Sequence, residues 1–482
     1  MAGLTRQALV ISASRFLNQG LMVISPVILV RLLTIEDFGR YREFLIYATV
    51  VGNLAGFSLA SSLLYFVGLQ PAAAWGYVRR VSLSVGATSI LAVAGFYLVE
   101  RFSPQPLIGE GLWPCVLYVL FYVNVDFWEF MWVAQKKSVE LMAYTSGRLL
   151  LRIVVVLAAA AATHDVFVII WSLVLLEGLR LLISAYFWRR LAAREGSEPL
   201  AVSWKKQLEF CVPSGIAVFV NTLNSSLGGI FIDQVLGEAA LAQFVIGGYV
   251  LMVVYPLRNS VSDVILPEMA AMAGRSKNGW LPLWQRSVVL FAILLVPAAV
   301  LLVRYAELFV STVFSDEYLD AVPILQFHCA LLVLSCFDIA VAMRAINRTR
   351  ALLMANGVCV VVNLGGMALL VPTYGGAGAA FALVLSTIAG LGYLVVVVAR
   401  MQALRIGELL PMRSLGGVVL AAGLAGLLTL PSFWTDTMGV FGALVASAMF
   451  GTTFMGLLMA FRIGEAHWLY SLIAMRLRPT RA

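Results

Sequence analysis

The sequence predicts an all-α, polytopic membrane protein that crosses the bilayer about fourteen times. Three observations indicate this fold class. Of the 482 residues, 61% are hydrophobic and 12% are charged, whereas soluble domains average about half apolar and about a quarter charged. Apolar runs of about 20 residues, the length that spans a bilayer, recur from one end of the chain to the other. The loops between these runs alternate in their content of Lys and Arg.

Windows of about 19 residues locate the spans in order. The predicted spans are 8–30, 44–67, 82–99, 112–134, 141–162, 166–188, 208–231, 241–266, 284–303, 320–342, 351–371, 377–399, 413–431 and 438–460. Runs of this length satisfy their own backbone hydrogen bonds only as helices, because lipid offers no partner for an N–H or a C=O group.

Positive charge divides the loops into two sets. Loops on the side of the N-terminus contain 23 of the 33 Lys and Arg residues, loops on the other side contain five, and five lie within spans. Cytoplasmic loops of membrane proteins carry such an excess. We therefore predict that both termini are cytoplasmic. The net charge of +8 then reflects membrane topology, and no nucleic-acid partner is expected.

The polar segment between the first two spans reads RLLTIEDFGRY at 31–41. Thr34 stands before Glu36 and Asp37, an order typical of a helix N-terminus, where a hydroxyl caps free N–H groups and acids meet the positive end of the helix dipole. The segment predicts a tight hairpin of two spans, with a short interfacial helix at its tip.

A weaker copy of this segment reads LGEAALAQF at 236–244. Phe244 stands in the place of Tyr41, and Ala242 in the place of Gly39. Two similar hairpins, one in each half of the chain, favour a duplicated transporter.

The longest predicted cytoplasmic loop divides the chain. We predict an N-terminal lobe at 1–190 with helices 1–6, a linker at 191–207, a C-terminal lobe at 208–400 with helices 7–12, and two trailing helices with a cytoplasmic tail at 401–482. No loop is long enough for a soluble catalytic domain, and the sequence has no Walker A motif. We therefore expect neither an enzyme nor a bound cofactor.

Arginines within the predicted spans are candidate functional residues, because a charge at the centre of a bilayer costs about 3 kcal/mol. Arg15 lies in the first span, Arg148 and Arg152 lie one helical turn apart in the fifth, and Arg258 lies in the eighth. A guanidinium group binds phosphate through two parallel hydrogen bonds. These four residues are thus candidates for the lining of a central cavity that holds a phosphate group.

A structural role is the alternative for each arginine. A buried arginine also orients helices by pairing with an acid, and the spans contain four candidate acids: Asp126, Glu129, Glu177 and Asp338. Arg180 lies within one turn of Glu177, and we interpret that pair as structural.

Asp126 and Glu129 share one face of the fourth span and alternate there with Trp128 and Trp132. Such a face suits sugars, since aromatic rings stack on a sugar ring while carboxylates accept hydrogen bonds from hydroxyls. Alternatively, the two tryptophans belong to an interfacial belt, and the acids face lipid headgroups or loop lysines.

Three motifs resemble those of a known family. The segment at 31–41 resembles the RxL…FGxY hairpin of bacterial polysaccharide-unit flippases, which belong to the multidrug/oligosaccharidyl-lipid/polysaccharide exporter superfamily. DQVLG at 233–237 followed by Phe244 resembles its second-lobe equivalent, and PTYGGAGAA at 372–380 resembles the PxxGxxGAA turn between spans eleven and twelve. The residues at 239–243 depart from the family pattern, where a glycine-tyrosine pair is common, and so do the carboxylates of the fourth span.

The resemblance implies two pseudo-symmetric six-helix lobes around a central cavity, followed by a trailing helix pair. It also implies the transport, by alternating access, of an oligosaccharide repeat unit linked to undecaprenyl pyrophosphate across the bacterial inner membrane, for O-antigen, capsule or exopolysaccharide synthesis. The lipid bilayer is a second partner, and a polysaccharide polymerase and glycosyltransferases are further candidate partners. The candidate cavity residues are Arg15, Arg258, Arg148, Arg152, Asp126 and Glu129, and no metal site is predicted.

Three other functions remain open at the level of the sequence. A flippase for the peptidoglycan precursor would differ only in which lipid accumulates when the gene is lost. A multidrug or cation antiporter of the same superfamily would use a cavity dominated by carboxylates and aromatic rings, against which the five arginines within spans argue. A ligase or polymerase of lipid-linked sugars would need a large external loop, and the external loops here are short.

Overall fold

The computed structural model describes Gly20 and residues 24–192, 199–429 and 433–464. Within these residues all regular structure is helical, and no strand occurs. By its internal contacts the chain divides into two compact units, Met1–Ala242 and Gln243–Ala482.

Eight α-helices of the first unit lie wholly within the described residues, and residues 24–29 are also helical. Their bounds are α1 Ile35–Gly56, α2 Leu63–Leu69, α3 Ala74–Phe102, α4 Leu112–Val123, α5 Phe127–Ala134, α6 Ser138–Thr163, α7 Val166–Ala192 and α8 Trp204–Leu236. Helix α1 packs against α3, α4 and α8, while α7 packs against α4 and α6. A ninth helix, α9 (Glu238–Gly247), crosses the boundary between the units.

The second unit contains nine further α-helices in its described part. Their bounds are α10 Tyr249–Arg275, α11 Leu281–Arg304, α12 Ala306–Val313, α13 Val322–Leu334, α14 Ile339–Ala345, α15 Thr349–Gln402, α16 Ile406–Leu409, α17 Met412–Thr429 and α18 Phe433–Ala460. One core cluster joins α11, α17 and α18 around Phe450. A second surrounds Trp280 and Trp284, which are fully buried.

The helices confirm the predicted all-α membrane fold. Ten of those described are long and apolar enough to cross a membrane, or up to twelve spans if each of two bent helix pairs counts as one. Every predicted span from the second onward coincides with one of these elements. Of the first predicted span, 8–30, the structure describes only Gly20 and residues 24–30. The number fourteen therefore stays a prediction.

Helix α15 is a hairpin that covers two predicted spans, the eleventh and the twelfth. A straight helix of its 54 residues would be about 80 Å long, against the about 30 Å of a bilayer core. The helical path breaks at Gly375, with φ 56° and ψ −140°. On either side the arms touch: a Cβ at Gly366 would lie 2.9 Å from that of Ala382, and the Cys359 Sγ lies 3.4 Å from the Ser386 carbonyl oxygen. The predicted turn at 372–380 is confirmed.

Thr34 caps α1, as predicted, but the helix that it begins is not short. Its hydroxyl accepts a hydrogen bond from the Asp37 N–H at 3.1 Å, and Glu36 and Asp37 occupy the first turn. The helix then continues without a break to Gly56. The prediction of a separate interfacial helix is wrong, because no turn-forming residue separates the polar segment from the apolar run that follows it.

Each bent helix pair begins within one of the two related polar segments. Helices α1 and α2 meet at an angle of 51°, across a break where Phe57 and Ser58 have φ values of 42° and 54°. Helices α9 and α10 meet at 44°, with Gly248 between them. Discontinuous helices in corresponding positions are typical of the substrate sites of duplicated transporters.

The end of the predicted linker packs on the first unit. The Gln70 side chain donates a hydrogen bond to the Pro199 carbonyl at 3.0 Å and accepts one from the Ala201 N–H at 3.1 Å. Arg80 donates to the Val202 carbonyl at 2.7 Å. Residues 204–207 of the predicted linker already belong to α8, which packs on α1 within the first unit. The predicted lobe boundaries stay a prediction.

Candidate functional site

Three spans of the first unit bring their charged side chains together. An Arg148 nitrogen lies 3.0 Å from a Glu129 oxygen and 3.6 Å from an Asp126 oxygen. An Arg180 nitrogen lies 3.4 Å from the same Asp126 carboxylate, and Arg180 also pairs with Glu177. The Arg148–Glu129 contact is an ion pair without hydrogen-bond alignment among the described residues. The pairing of Arg180 with Glu177 is confirmed, and Arg148 also has the structural partners that the sequence offered as an alternative.

Two tyrosines support this charge cluster, which comprises Asp126, Glu129, Arg148, Glu177 and Arg180. The guanidinium carbons of both arginines lie over the Tyr122 ring, 5.9 and 5.8 Å from its centroid. The Arg180 Nε donates a hydrogen bond to the Tyr144 hydroxyl at 2.7 Å. Planar guanidinium groups stack on aromatic faces in this way, so the orientation of each arginine is set by both charge and ring packing.

Arg152 lies one turn beyond Arg148 on α6 but has no such partner. Within the described part of the chain, no carboxylate oxygen lies within 4.0 Å of its guanidinium group. Tyr118 and Tyr122, on α4, line one cavity together with Arg152. Arg152 supplies the third positive charge beside the three acids of the cluster, so the group as a whole is neutral.

Arg152 faces a cavity of about 390 Å³ inside the first unit. The cavity lies along the break between α1 and α2, and its wall is rich in hydrogen-bonding side chains: Thr49, Asn53, Ser58, Ser61, Tyr118, Tyr122, Asp126 and Arg152. Cavities of about 300–1,000 Å³ hold small ligands in proteins. The polar cavity therefore combines a free cation, hydroxyl groups and one carboxylate, a set of groups that can bind a phosphate together with a sugar.

The break at Phe57 and Ser58 depends on a close approach of α8. A Cβ at Gly215 would lie 2.7 Å from the Phe57 carbonyl oxygen. Side chains other than glycine rarely adopt positive φ, and two consecutive residues in that region are held only by the packing around them. Gly215 thus permits the contact that holds the wall of the cavity in place.

Trp128 of the fourth span belongs neither to a sugar-binding face nor to an interfacial belt. Trp128 is buried, its indole N–H donates to the Ser184 hydroxyl, and its ring meets Trp75 edge-on at 6.1 Å. Both interpretations of that residue are wrong, because the span breaks between α4 and α5 and turns the ring into the helix bundle. Trp132 contacts Tyr144 with a centroid distance of 4.9 Å.

The remaining candidates lie apart from this cavity or outside the description. Arg258, in the second unit, stacks on Tyr255 at 5.2 Å and donates to the Asn259 side chain at 3.0 Å. It does not pair with Asp338, which accepts a hydrogen bond from Ser262. Arg15 lies outside the described residues.

Sequence reasoning missed the uncharged part of the cavity wall. Thr49, Asn53 and Ser58 stand singly in apolar runs, and Ser61 is followed only by Ser62. Isolated small polar residues in a span give no signal. These residues lie on one helix and beyond its break, so their common position is evident only once the break is known. In the described part of the chain, no group of three His, Cys, Asp or Glu side chains is arranged to hold a metal ion.

Comparison with known proteins identifies a family and a fold. The family model described as "Polysaccharide biosynthesis protein" matches residues 28–323, more than half of the chain. No curated protein matches the sequence.

Several solved transporter structures share the fold. The lipid II flippase MurJ, in an inward closed conformation, is 13% identical with a TM-score of 0.67, over 94% of this chain and 100% of the MurJ chain. The MATE transporter VcmN of Vibrio cholerae is 14% identical with a TM-score of 0.54, over 83% and 99% of the two chains. An inward-facing multidrug resistance MATE transporter of the MOP superfamily is 15% identical with a TM-score of 0.51, over 81% and 95%. At these identities the likeness is one of fold.

Proposed function

This chain belongs to the polysaccharide biosynthesis protein family, and from that membership we propose that it is a flippase for a lipid-linked oligosaccharide. Its substrate is a repeat unit joined to undecaprenyl pyrophosphate, carried from the inner to the outer leaflet of a bacterial inner membrane. The product serves the assembly of O-antigen, capsule or exopolysaccharide. The resemblance carried by the motifs at 31–41 and 372–380 indicated the same family.

The observation that carries the proposal is Arg152 in the polar cavity, which among the described residues has no carboxylate oxygen within 4.0 Å. A guanidinium group without a carboxylate partner in a membrane span is costly unless it meets water or an anionic ligand. Pyrophosphate is such a ligand, and a guanidinium group can bind two of its oxygens at once. The cavity is in the size range that holds small ligands, so it would hold the part of the substrate nearest the lipid, a phosphate together with the adjoining sugar.

The remaining polar groups of the cavity suit the sugar. Asn53 and Ser58 offer donors and acceptors to hydroxyls. Thr49 and Ser61, whose hydroxyls already donate to backbone carbonyls, offer acceptors, as does the Asp126 carboxylate. Each sugar hydroxyl that leaves water without a new hydrogen bond costs at least about 1 kcal/mol. A wall of such groups replaces the lost hydration while the prenyl chain stays in lipid, and the transfer needs no covalent step.

The other candidate residues take different roles in this proposal. Arg148 and Glu129 hold the helices that carry Arg152 and Asp126, through the ion pairs of the charge cluster. Arg258, whose Nε is buried without a hydrogen-bond partner among the described residues, and Arg15 are further candidates for phosphate binding.

The known activities of proteins with this fold agree with the proposal. MurJ is described as a lipid II flippase, and the MATE proteins as multidrug resistance transporters. Broken helices such as α1–α2 line the substrate sites of transporters and allow a cavity to open first to one side of the membrane and then to the other.

The experiment measures the carrier lipid. In a strain that lacks the gene, undecaprenyl-linked glycans are extracted and analysed by mass spectrometry. The strain is complemented with the wild type, Arg152→Gln, Arg15→Ala or Arg258→Ala. Arg101→Gln serves as the control, because it removes an exposed arginine near the end of α3. We expect one lipid-linked oligosaccharide to accumulate, and the wild type and Arg101→Gln to clear it. We expect Arg152→Gln to clear it at least about tenfold more slowly, the loss of one charge-assisted hydrogen bond.

Two outcomes would contradict the proposal. If no lipid-linked glycan accumulates and efflux of drugs or dyes falls instead, the protein is an antiporter. If the glycan reaches the outer leaflet unjoined, the protein is a ligase or polymerase. If the glycan accumulates without the gene but Arg152→Gln clears it as fast as the wild type, the flippase function stands and the assigned role of Arg152 is wrong.

A further inference from the structure

A second pocket, of about 590 Å³, lies on the far side of the charge cluster from the polar cavity. It is formed by α5, α6 and α7, and it shares no lining residue with the polar cavity. Apolar and aromatic residues make up most of its wall, among them Trp132, Tyr144, Gly147, Leu151 and Phe187. We call it the lateral pocket.

The lateral pocket opens on the surface that faces lipid. Leu151, Leu179, Ile183 and Phe187 line it and are each about half exposed. Helices this apolar expose such side chains to hydrocarbon and not to water. At the base of the pocket, Arg148, Glu177 and Arg180 are held in the ion pairs and ring contacts of the charge cluster. The pocket thus presents an aromatic wall, with its charges already compensated, to whatever enters from the membrane.

Exposed cations stand at one end of the lateral pocket. Lys136 and Lys137 directly follow the helix that carries Trp132, and the Lys137 N–H donates to the Trp132 carbonyl at 2.9 Å. On α7, Arg189 and Arg190 follow Phe187 by less than one turn. All four side chains are exposed. The alternation of loop charges assigns this end of the helices to the cytoplasm.

We propose that the lateral pocket binds an anionic phospholipid of the inner leaflet. One acyl chain lies in the pocket between α6 and α7, and the headgroup phosphate is held by Lys136, Lys137, Arg189 and Arg190. The inner leaflet carries anionic lipids, and each basic residue near its surface contributes to their attraction. Glu140, in the first turn of α6, is exposed beside these cations and opposes them with a single negative charge. The proposal does not depend on the flippase activity.

A glycine provides the means to fill the lateral pocket without disturbing the fold. A Cβ built at Gly147 meets no atom within 4 Å, and the residue lies within α6, so that Gly147→Leu also raises helix propensity. The leucine side chain would occupy space that the acyl chain needs. Gly95, exposed on α3 with equally open space around its Cβ, provides the matched control Gly95→Leu.

The test is native mass spectrometry of the purified full-length protein, titrated in detergent with dioleoyl phosphatidylglycerol. We expect wild type and Gly95→Leu to bind with the same affinity. We expect Gly147→Leu to bind about tenfold more weakly, the effect of excluding about two methylene groups. The double variant Lys137→Gln/Arg190→Gln should lose about thirtyfold. Lys205→Gln/Lys206→Gln, which removes the same charge from two exposed residues at the start of α8, should bind like the wild type.

Three results would overturn the proposal. Equal affinity of Gly147→Leu and Gly95→Leu would place the lipid elsewhere. If dioleoyl phosphatidylethanolamine binds with the same affinity as dioleoyl phosphatidylglycerol, the four cations have no role in binding. Displacement of phosphatidylglycerol by a smaller concentration of undecaprenyl phosphate would assign the pocket to the prenyl carrier. Thermal unfolding of each variant distinguishes lost binding from lost structure.

Discussion

Two arginines on the same face of α6 differ in what surrounds them. Arg148 faces Asp126 and Glu129, whereas Arg152, one turn further along, lines the polar cavity beside two tyrosines. The difference arises in the neighbouring span, where the helix breaks between α4 and α5 and places both acids at the level of Arg148. One position therefore pairs with acids of the neighbouring span, and the next, in our proposal, binds the substrate.

Removal of the Arg148 charge should destabilise the fold. In Arg148→Met the carboxylates of Asp126 and Glu129 lose their shared cation and repel each other, at a cost of about 2–4 kcal/mol. Neutralising one acid in the same chain, with Glu129→Gln, should restore part of the loss. The measurement is the apparent melting temperature in detergent. Arg101→Met, which removes an exposed arginine, should leave it unchanged, and an equal melting temperature for the two arginine variants would contradict the assigned role.

Among the elements, the helical hairpin α15 shows how glycine placement sets a fold. Its arms can pack closely because small residues face each other, as at Gly366 and Ala382. The reversal itself requires a backbone conformation at Gly375 that residues with a Cβ rarely adopt. Close packing of small residues is a main source of helix association in lipid, where no hydrophobic force acts between helices.

Replacement of Gly375 should therefore destabilise the hairpin. Gly375→Ala forces a Cβ into the strained region and should lower stability by about 1–3 kcal/mol. Gly365→Ala, in a helical part of the same hairpin with open space around it, should be neutral or stabilise by about 0.5–1 kcal/mol. Unfolding by a denaturing detergent measures the difference in stability between the two variants. Equal stability would show that the turn lies elsewhere.

At the scale of the whole molecule, a broken helix begins within each copy of the duplicated polar segment. The pattern of apolar runs was enough to predict the helices, because the thickness of the bilayer requires runs of that length. The caps and the turn at Gly375 were also predictable, since Thr34 and Gly375 act through their own backbone surroundings.

Tertiary partners could not be read from the sequence in the same way. Nothing in the spacing of Arg148 and Arg152 shows which of them meets an acid on another helix. Trp128 was misplaced for the same reason, because the interruption after Val123 rotates the following turn. The cavity depends on the break at Phe57 and Ser58, neither of which is a turn-forming residue by type.

The predicted orientation can be tested over the whole chain with cysteine labelling. Gln105→Cys and Glu317→Cys should react with a membrane-impermeant maleimide in intact cells, whereas Lys137→Cys and Lys277→Cys should react only after the cells are opened. All four positions are exposed, and the native cysteines are buried or half-buried, which keeps the background low. Labelling of Lys137→Cys in intact cells would reverse the topology.

The charge cluster also affects how the chain is inserted into the membrane. The span of α4 and α5 carries the two acids Asp126 and Glu129, and α6 carries Arg148 and Arg152. A charged residue at the centre of a lone span opposes its release from the translocon by about 2.5–3.5 kcal/mol. Neither span is therefore favoured to enter lipid by itself, whereas the two together are neutral. The nascent chain should keep its fourth span at the lateral gate until the fifth emerges from the ribosome, so that both leave as a pair.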